Sequence, residues 1–117
     1  MARFTKLRVW HEAREVLKLI SAVTADMRSE GDLTSQMRRA AISIISNISE
    51  GAERGSDRDF HRFLGIARAS ASELHAQLII AGDLGLVADA QVADGSNRLD
   101  RLCRMLTVFM RTVADSG

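Results

Sequence analysis

Proline is absent from all 117 residues, and no other absence bounds the fold more tightly. Proline removes a backbone donor and breaks helix interiors, so a chain without it is free to form long uninterrupted helices. Tyrosine is missing too, and aromatic residues make up only 4% of the chain. The core must therefore be built from aliphatic and small side chains, the material of helix-on-helix packing. A single cysteine, Cys103, excludes an internal disulfide and fits a reducing compartment. No apolar run approaches the ~18 residues that a membrane span requires. The opening stretch MARFTKLRVW carries positive charge but lacks the apolar segment and cleavage site of a signal peptide. A cytoplasmic location without a membrane partner is the expectation.

The charge is nearly balanced, at +1 overall, which excludes a global electrostatic attraction to nucleic acid. Its composition is less ordinary, with fourteen arginines against two lysines. Guanidinium forks match phosphate geometry, although a GC-rich genome also raises arginine and alanine together. An apolar content of 46% excludes disorder and suffices for one domain over residues 1–117.

The stretch Leu33 to Gly51 shows two apolar patterns at once. Met37, Ala40, Ala41, Ile44 and Ile48 recur at helical spacing and form one stripe. Ile42 and Ile45 fall off that stripe, beside Ser46 and Ser49. A helix of a monomeric bundle needs one buried face, so this one is expected to meet a second surface. The same holds further on, where Ile66 and Ile80 leave the stripe of Phe60, Phe63, Leu64, Ala67, Ala71, Leu74 and Leu78. Ile42, Ile45, Ile66 and Ile80 are thus the candidate subunit contacts.

Hydrophobic periodicity gives four helices, over about 9–27, 35–53, 57–81 and 89–114. Thr34 and Ser56 are the candidate N-caps, the latter followed by Asp59 at capping-box spacing. Gly31, Gly55 and Gly85 mark turns, and Gly95 is expected to fray the last helix. Short connections argue for an all-α, antiparallel up-down-up-down four-helix bundle.

Catalytic chemistry is not legible in this pattern, and no enzyme activity is expected. No Glu-x-x-His occurs, so the di-metal signature of four-helix bundles is missing, and neither metal nor cofactor is expected. Cys103 lies in the apolar stripe of the last helix and reads as a core thiol. His11 with Glu15 and His61 with Asp57 have the spacing of surface ion pairs. Arginine is the one residue type with chemical direction. Arg101, Arg104 and Arg111 share an arc of the last helix opposite its core stripe, with Arg98 at the margin. Asp100 and Asp115 dilute that patch without cancelling it. Arg54, Arg58 and Arg62 gather near the second interhelical junction, mixed with Glu53, Asp57 and Asp59, and Arg3, Lys6 and Arg8 lie near the start. These are the candidate phosphate contacts, and a solvated helix face is the alternative. Arg38, Arg39, Asn47 and Glu50 suit pairing between helices or subunits better.

Short motifs along most of the chain carry a resemblance. They run from Leu7-x-Val-Trp10 with Ala13, through Leu33-Thr-Ser-Gln36, Arg38-Arg-Ala-Ala41, Ser43-Ile44, Asn47-Ile48 and Glu50-Gly51. Further on stand Phe60-x-x-Phe63-Leu64, Ile66-Ala67, Glu73-Leu74, Gln77-Leu78 and Leu84-Gly85. Together they resemble the bacterial four-helix bundle proteins encoded in 23S ribosomal RNA intervening sequences, a family similar to the accessory variability protein of diversity-generating retroelements. That relative forms a five-membered barrel and binds nucleic acid with a reverse transcriptase. The resemblance implies a homopentamer, RNA or DNA as a partner, and no catalytic residues. The chain departs from the family pattern at Met27-Arg28, where Phe-Pro is usual, and at Ala69-Ser70, where Gly-Ser is usual. Two functions stand beside each other: a homo-oligomer binding nucleic acid through arginine, and an interaction scaffold that recruits a protein partner with no nucleic acid role.

Overall fold

Apolar side chains three and four positions apart decide where each helix lies, and the chain forms the elements this spacing demands. A computed structural model describes residues 3–27 and 31–116, the last three of these by backbone alone. After a 3-10 turn at Arg3–Lys6 come α1 (Arg8–Ala25), α2 (Leu33–Ala52), α3 (Asp57–Asp83) and α4 (Asp89–Ser116). Among the described residues there is no strand, and no helix is long and apolar enough to cross a membrane.

Contacts between helices fix their order and direction. Trp10 on α1 meets Ser49 on α2, and Thr24 meets Arg38. Ser43 meets Ser70, while Gly51 lies against Phe63. His61 meets Met110, Arg68 meets Thr107, and Gly82 lies against Val92. In each pair the numbering rises along one helix as it falls along the other. Helix α4 also returns to α1, where Gly95 approaches Leu19 and Arg101 approaches Glu12. The result measures 45 × 22 × 20 Å.

The core follows the expected stripes. Ile20, Met37, Ile44, Ile48, Leu64, Leu74, Leu78, Leu99, Leu102 and Leu106 are fully enclosed. Each such side chain contributes roughly 1.5–3 kcal/mol of transfer energy. Ala13, Ala41, Ala67 and Ala71, all at 0% exposure, keep the helices close. Trp10 closes the bundle edge, donating its indole N–H to Ser49 Oγ at 2.9 Å and packing on Phe4.

Three sequence expectations need correction. Thr34 does not cap α2: the N-cap is Asp32, without a side-chain hydrogen bond, and the Thr34 hydroxyl is buried inside the first turn. The helix begins early because Leu33 packs onto the core. Gly95 does not fray α4, which runs through it unbroken, because the missing side chain admits Leu78 and Leu19. Ile45 is half-buried and packs on its own bundle's core, while Ile42, Ile66 and Ile80 remain exposed. Ala69 is exposed, so replacing the family's glycine there does not crowd a neighbouring helix. Ser56, by contrast, caps α3 as read, accepting from the Asp59 backbone N–H at 3.1 Å. Gly31, Gly55 and Gly85 take φ of +54°, +83° and +73° at the turns, and Arg28 to Glu30 of the first turn lie outside the described residues.

Gly51 has the tightest requirement involving groups near the backbone. A Cβ added there would lie 2.7 Å from Phe63 Cβ and 3.0 Å from Phe60 Cδ1. At Gly65 the nearest atom would be the flexible end of Met110, at 3.5 Å. Gly51→Ala should therefore lose about 1–2 kcal/mol net, overpacking outweighing the helix-propensity gain. Gly65→Ala should gain about 0.5–1 kcal/mol. Urea unfolding of the two variants checks both signs.

Candidate nucleic-acid interface

Opposite helix directions bring the start of α1, the end of α2, the start of α3 and the end of α4 to one end of the bundle. Basic stretches that are distant in sequence meet there. Arg3, Lys6 and Arg8 come from the N-terminal segment, Arg54, Arg58 and Arg62 from the α2–α3 junction, and Arg104 and Arg111 from α4; all are exposed. The opposite end carries exposed Asp26, Asp32, Asp83, Asp89 and Asp94. Glu50, Glu53, Asp57 and Asp59 stand among the cations at the first end. A net charge of +1 thus conceals a modest excess of positive charge there and of negative charge at the other end.

The basic end has two parts. In the first, Lys6 and Arg8 face Arg101 and Arg104 across a groove of about 500 Å³ between the start of α1 and α4. Arg101 Nε lies 4.0 Å from a Glu12 carboxylate oxygen, and Arg104 pairs with Asp100 one turn earlier. The Arg104 pair is exposed on both sides and the Arg101 pair on its arginine side. Such pairs stabilise by roughly 0–1 kcal/mol, so both guanidiniums can meet an external anion. In the second part, Phe63 organises the α2–α3 cluster. The guanidiniums of Arg62 and Arg54 stand 4.5 and 5.3 Å from its ring centroid. Arg54 also reaches Glu50 at 3.4 Å and Asp59 at 3.5 Å. Stacking on a ring leaves the N–H edges of a guanidinium free to meet oxygen ligands.

Other candidates are placed differently. Arg98 is exposed on α4, toward the acidic end. Arg38 donates from Nε to the buried Thr24 hydroxyl at 2.8 Å, so it ties α2 to α1. Arg39 lines a smaller groove of about 310 Å³ between α2 and α3, facing Ser43, Ser70 and Glu73. Asn47 donates to the Ser43 carbonyl and hydroxyl at the edge of that groove. His11 Nε2 donates to the Thr5 carbonyl at 2.7 Å, and Glu15 pairs with Lys18, in place of the His11–Glu15 contact expected from spacing. His61 Nδ1 donates across to the Met110 carbonyl at 3.0 Å, tying α3 to α4. Arg14 over the Trp10 ring, at 4.9 Å, went unread in the sequence. So did the meeting of Lys6 and Arg8 with Arg101 and Arg104, which the antiparallel order of helices could have signalled. Among the described residues, no group of three or more histidine, cysteine or acidic side chains could hold a metal ion.

An all-α bundle with a basic end defines a structural class before it defines a protein. Within that class the chain belongs to the 23S rRNA-intervening sequence protein family, whose model matches residues 5–108. Its fold is similar to the 1.70 Å crystal structure of a protein of unknown function from the S23 ribosomal protein family of Bacteroides thetaiotaomicron VPI-5482. That similarity has a TM-score of 0.82 at 22% identity, covering 87% of this chain and 97% of the other. No curated protein matches the sequence.

Cys103 is half-buried on α4. Burial pushes its thiol pKa up, a hydrogen bond with Ser72 opposes the rise, and the Asp100 charge adds to it. A raised pKa means less thiolate at a given pH. Iodoacetamide should therefore modify Cys103 more slowly than a free cysteine at pH 8, with a rate still climbing above pH 9, as mass spectrometry over time would show.

Proposed function

We propose that this protein is a non-enzymatic homo-oligomer that binds the backbone of structured RNA or DNA through its basic end. The observation that carries the reading is the gathering of Lys6, Arg8, Arg101 and Arg104 around one groove, with Arg111, Arg54, Arg58 and Arg62 at the same end. Phosphate contact needs a local excess of positive charge, and the reading is supported by cations outnumbering acids at this end despite a near-neutral total. An up-down-up-down bundle repeated side by side in a homopentamer would present this end five times around an axis, turning a modest patch into a ring. Exposed Ile42, Ile66 and Ile80 on α2 and α3 are the proposed subunit contacts. Arg98 would add to phosphate contact only at the margin, because it lies away from the basic end.

The test of the face is the triple variant Arg101→Glu, Arg104→Glu, Arg111→Glu. Fluorescence anisotropy with structured RNA and duplex DNA should show at least a tenfold loss of affinity, with the oligomer intact. The slope of log affinity against log salt should flatten by about 0.9 for each duplex phosphate that the variant no longer neutralises. Unchanged affinity would remove this face from the interaction.

Assembly is tested separately. Ile42→Asp combined with Ile66→Asp should give monomers by light scattering while the melting temperature holds within a few degrees. Ile45 is unsuitable for this purpose, since a charge on its core-facing side chain would test folding instead. A variant that keeps its full oligomeric mass would exclude the α2–α3 outer face as the subunit contact.

A further inference from the structure

Phosphate binding accounts for the cations around the α1–α4 groove but not for what lies between them. Its floor is made by Leu7, Met105, Val108 and Phe109. Val108 is 59% exposed, matched among the large apolar side chains described only by Leu84. A duplex backbone resting on the arginines would leave this floor unfilled. The groove therefore calls for a ligand that is anionic at its edges and apolar along its centre.

An unpaired base and an acidic amphipathic helix both have that general character, and the polar inventory decides between them. A base presents donors and acceptors along its edge, and burying them unpaired is costly. The floor offers aliphatic side chains, one ring edge-on to Phe60 and one hydroxyl. That hydroxyl, on Thr112, already donates to the Val108 carbonyl at 3.2 Å. Leucine and isoleucine side chains leave nothing unpaired in such a place. The rim also has a demonstrated partner chemistry, because Arg101 and Arg104 already hold the carboxylates of Glu12 and Asp100.

Dimensions agree with a helix. The α4 residues lining the groove run from Arg101 to Thr112, about 16 Å at ~1.5 Å per residue. Three helical turns of a partner span the same length and bring apolar residues at i, i+3, i+4 and i+7 onto one side. We propose that the groove between the start of α1 and α4 docks an acidic amphipathic helix of a partner protein, with apolar side chains on Met105, Val108 and Phe109 and carboxylates on Lys6, Arg8, Arg101 and Arg104.

The test uses the full chain and three labelled 14-residue peptides: an acidic amphipathic helix of leucine, isoleucine and glutamate, its scrambled isomer, and its lysine-for-glutamate counterpart. The first should bind at least tenfold tighter than the other two. Val108→Asn, which removes the apolar surface without adding charge among the cations, should then cost that peptide at least tenfold, while duplex DNA affinity stays within twofold and oligomeric mass is unchanged. Val108 is exposed, so the variant folds, and an unchanged melting temperature confirms it. Equal binding of the scrambled peptide, or an unaffected Val108→Asn variant, would overturn the proposal. A single-stranded oligonucleotide weakened as much as the peptide would reassign the groove to unpaired bases. A change in oligomeric mass would reassign it to a second copy of the chain.

Discussion

The approach of α2 to α3 at Gly51 is the contact on which the basic end depends. Because Gly51 has no side chain, Phe60 and Phe63 can lie directly against the α2 backbone. Phe60 then meets Phe109 edge-on, with centroids 5.3 Å apart, and so seats the end of α4. Phe63 takes the guanidiniums of Arg54 and Arg62 on its ring. One close backbone approach thus sets the position of two arginines on one side. On the other it sets the ring that floors the α1–α4 groove. In a protein with four phenylalanines, three of them work around this single contact.

Net charge is a poor guide to this molecule, and the reason is geometric. At physiological ionic strength charges separated by more than ~8 Å are largely screened. Acids at the far end of a 45 Å bundle therefore do little to cancel the field near Arg104 or Arg111. What matters is the local balance. Glu50, Asp59, Asp100 and Glu12 stand among the arginines, each paired with an exposed guanidinium that an incoming anion can reach. These acids moderate the field and disfavour indiscriminate adhesion to polyanions.

Much of the fold was legible because helical periodicity is a local property. The stripes containing Ile44, Leu64, Leu74 and Leu102 predicted which side chains are enclosed, and the Ser56 cap was readable from a hydroxyl three residues before Asp59. The misreadings occur where tertiary contact overrides local preference. Gly95 looks like a helix breaker in isolation, yet Leu78 and Leu19 need its missing side chain. Thr34 looks like a cap, yet core packing by Leu33 starts the helix earlier. Ile45 looks spare on the wheel, yet it is partly buried against the core. The candidate site was legible only in pieces. Arg101 and Arg104 formed one cluster in the sequence, and Lys6 and Arg8 another. Only the return of α4 alongside α1 makes them one rim.

The dual character of that rim has a consequence for how binding would be organised. A phosphate backbone at the basic end and a carboxylate-bearing helix in the groove would draw on the same four cations, Lys6, Arg8, Arg101 and Arg104. Neither ligand needs all the available cations. Arg54, Arg58, Arg62 and Arg111 lie outside the groove, and the aliphatic floor has no use for phosphate. The two ligands would therefore compete in part, each weakening the other through the shared cations without excluding it. Such coupling is reciprocal by thermodynamic necessity. In a symmetric assembly, copies engaged with nucleic acid would leave others free for a protein partner, and composition would be set by relative concentration. On the proposed reading, the apolar floor between the arginines is what would let a bundle that binds nucleic acid respond to a protein as well.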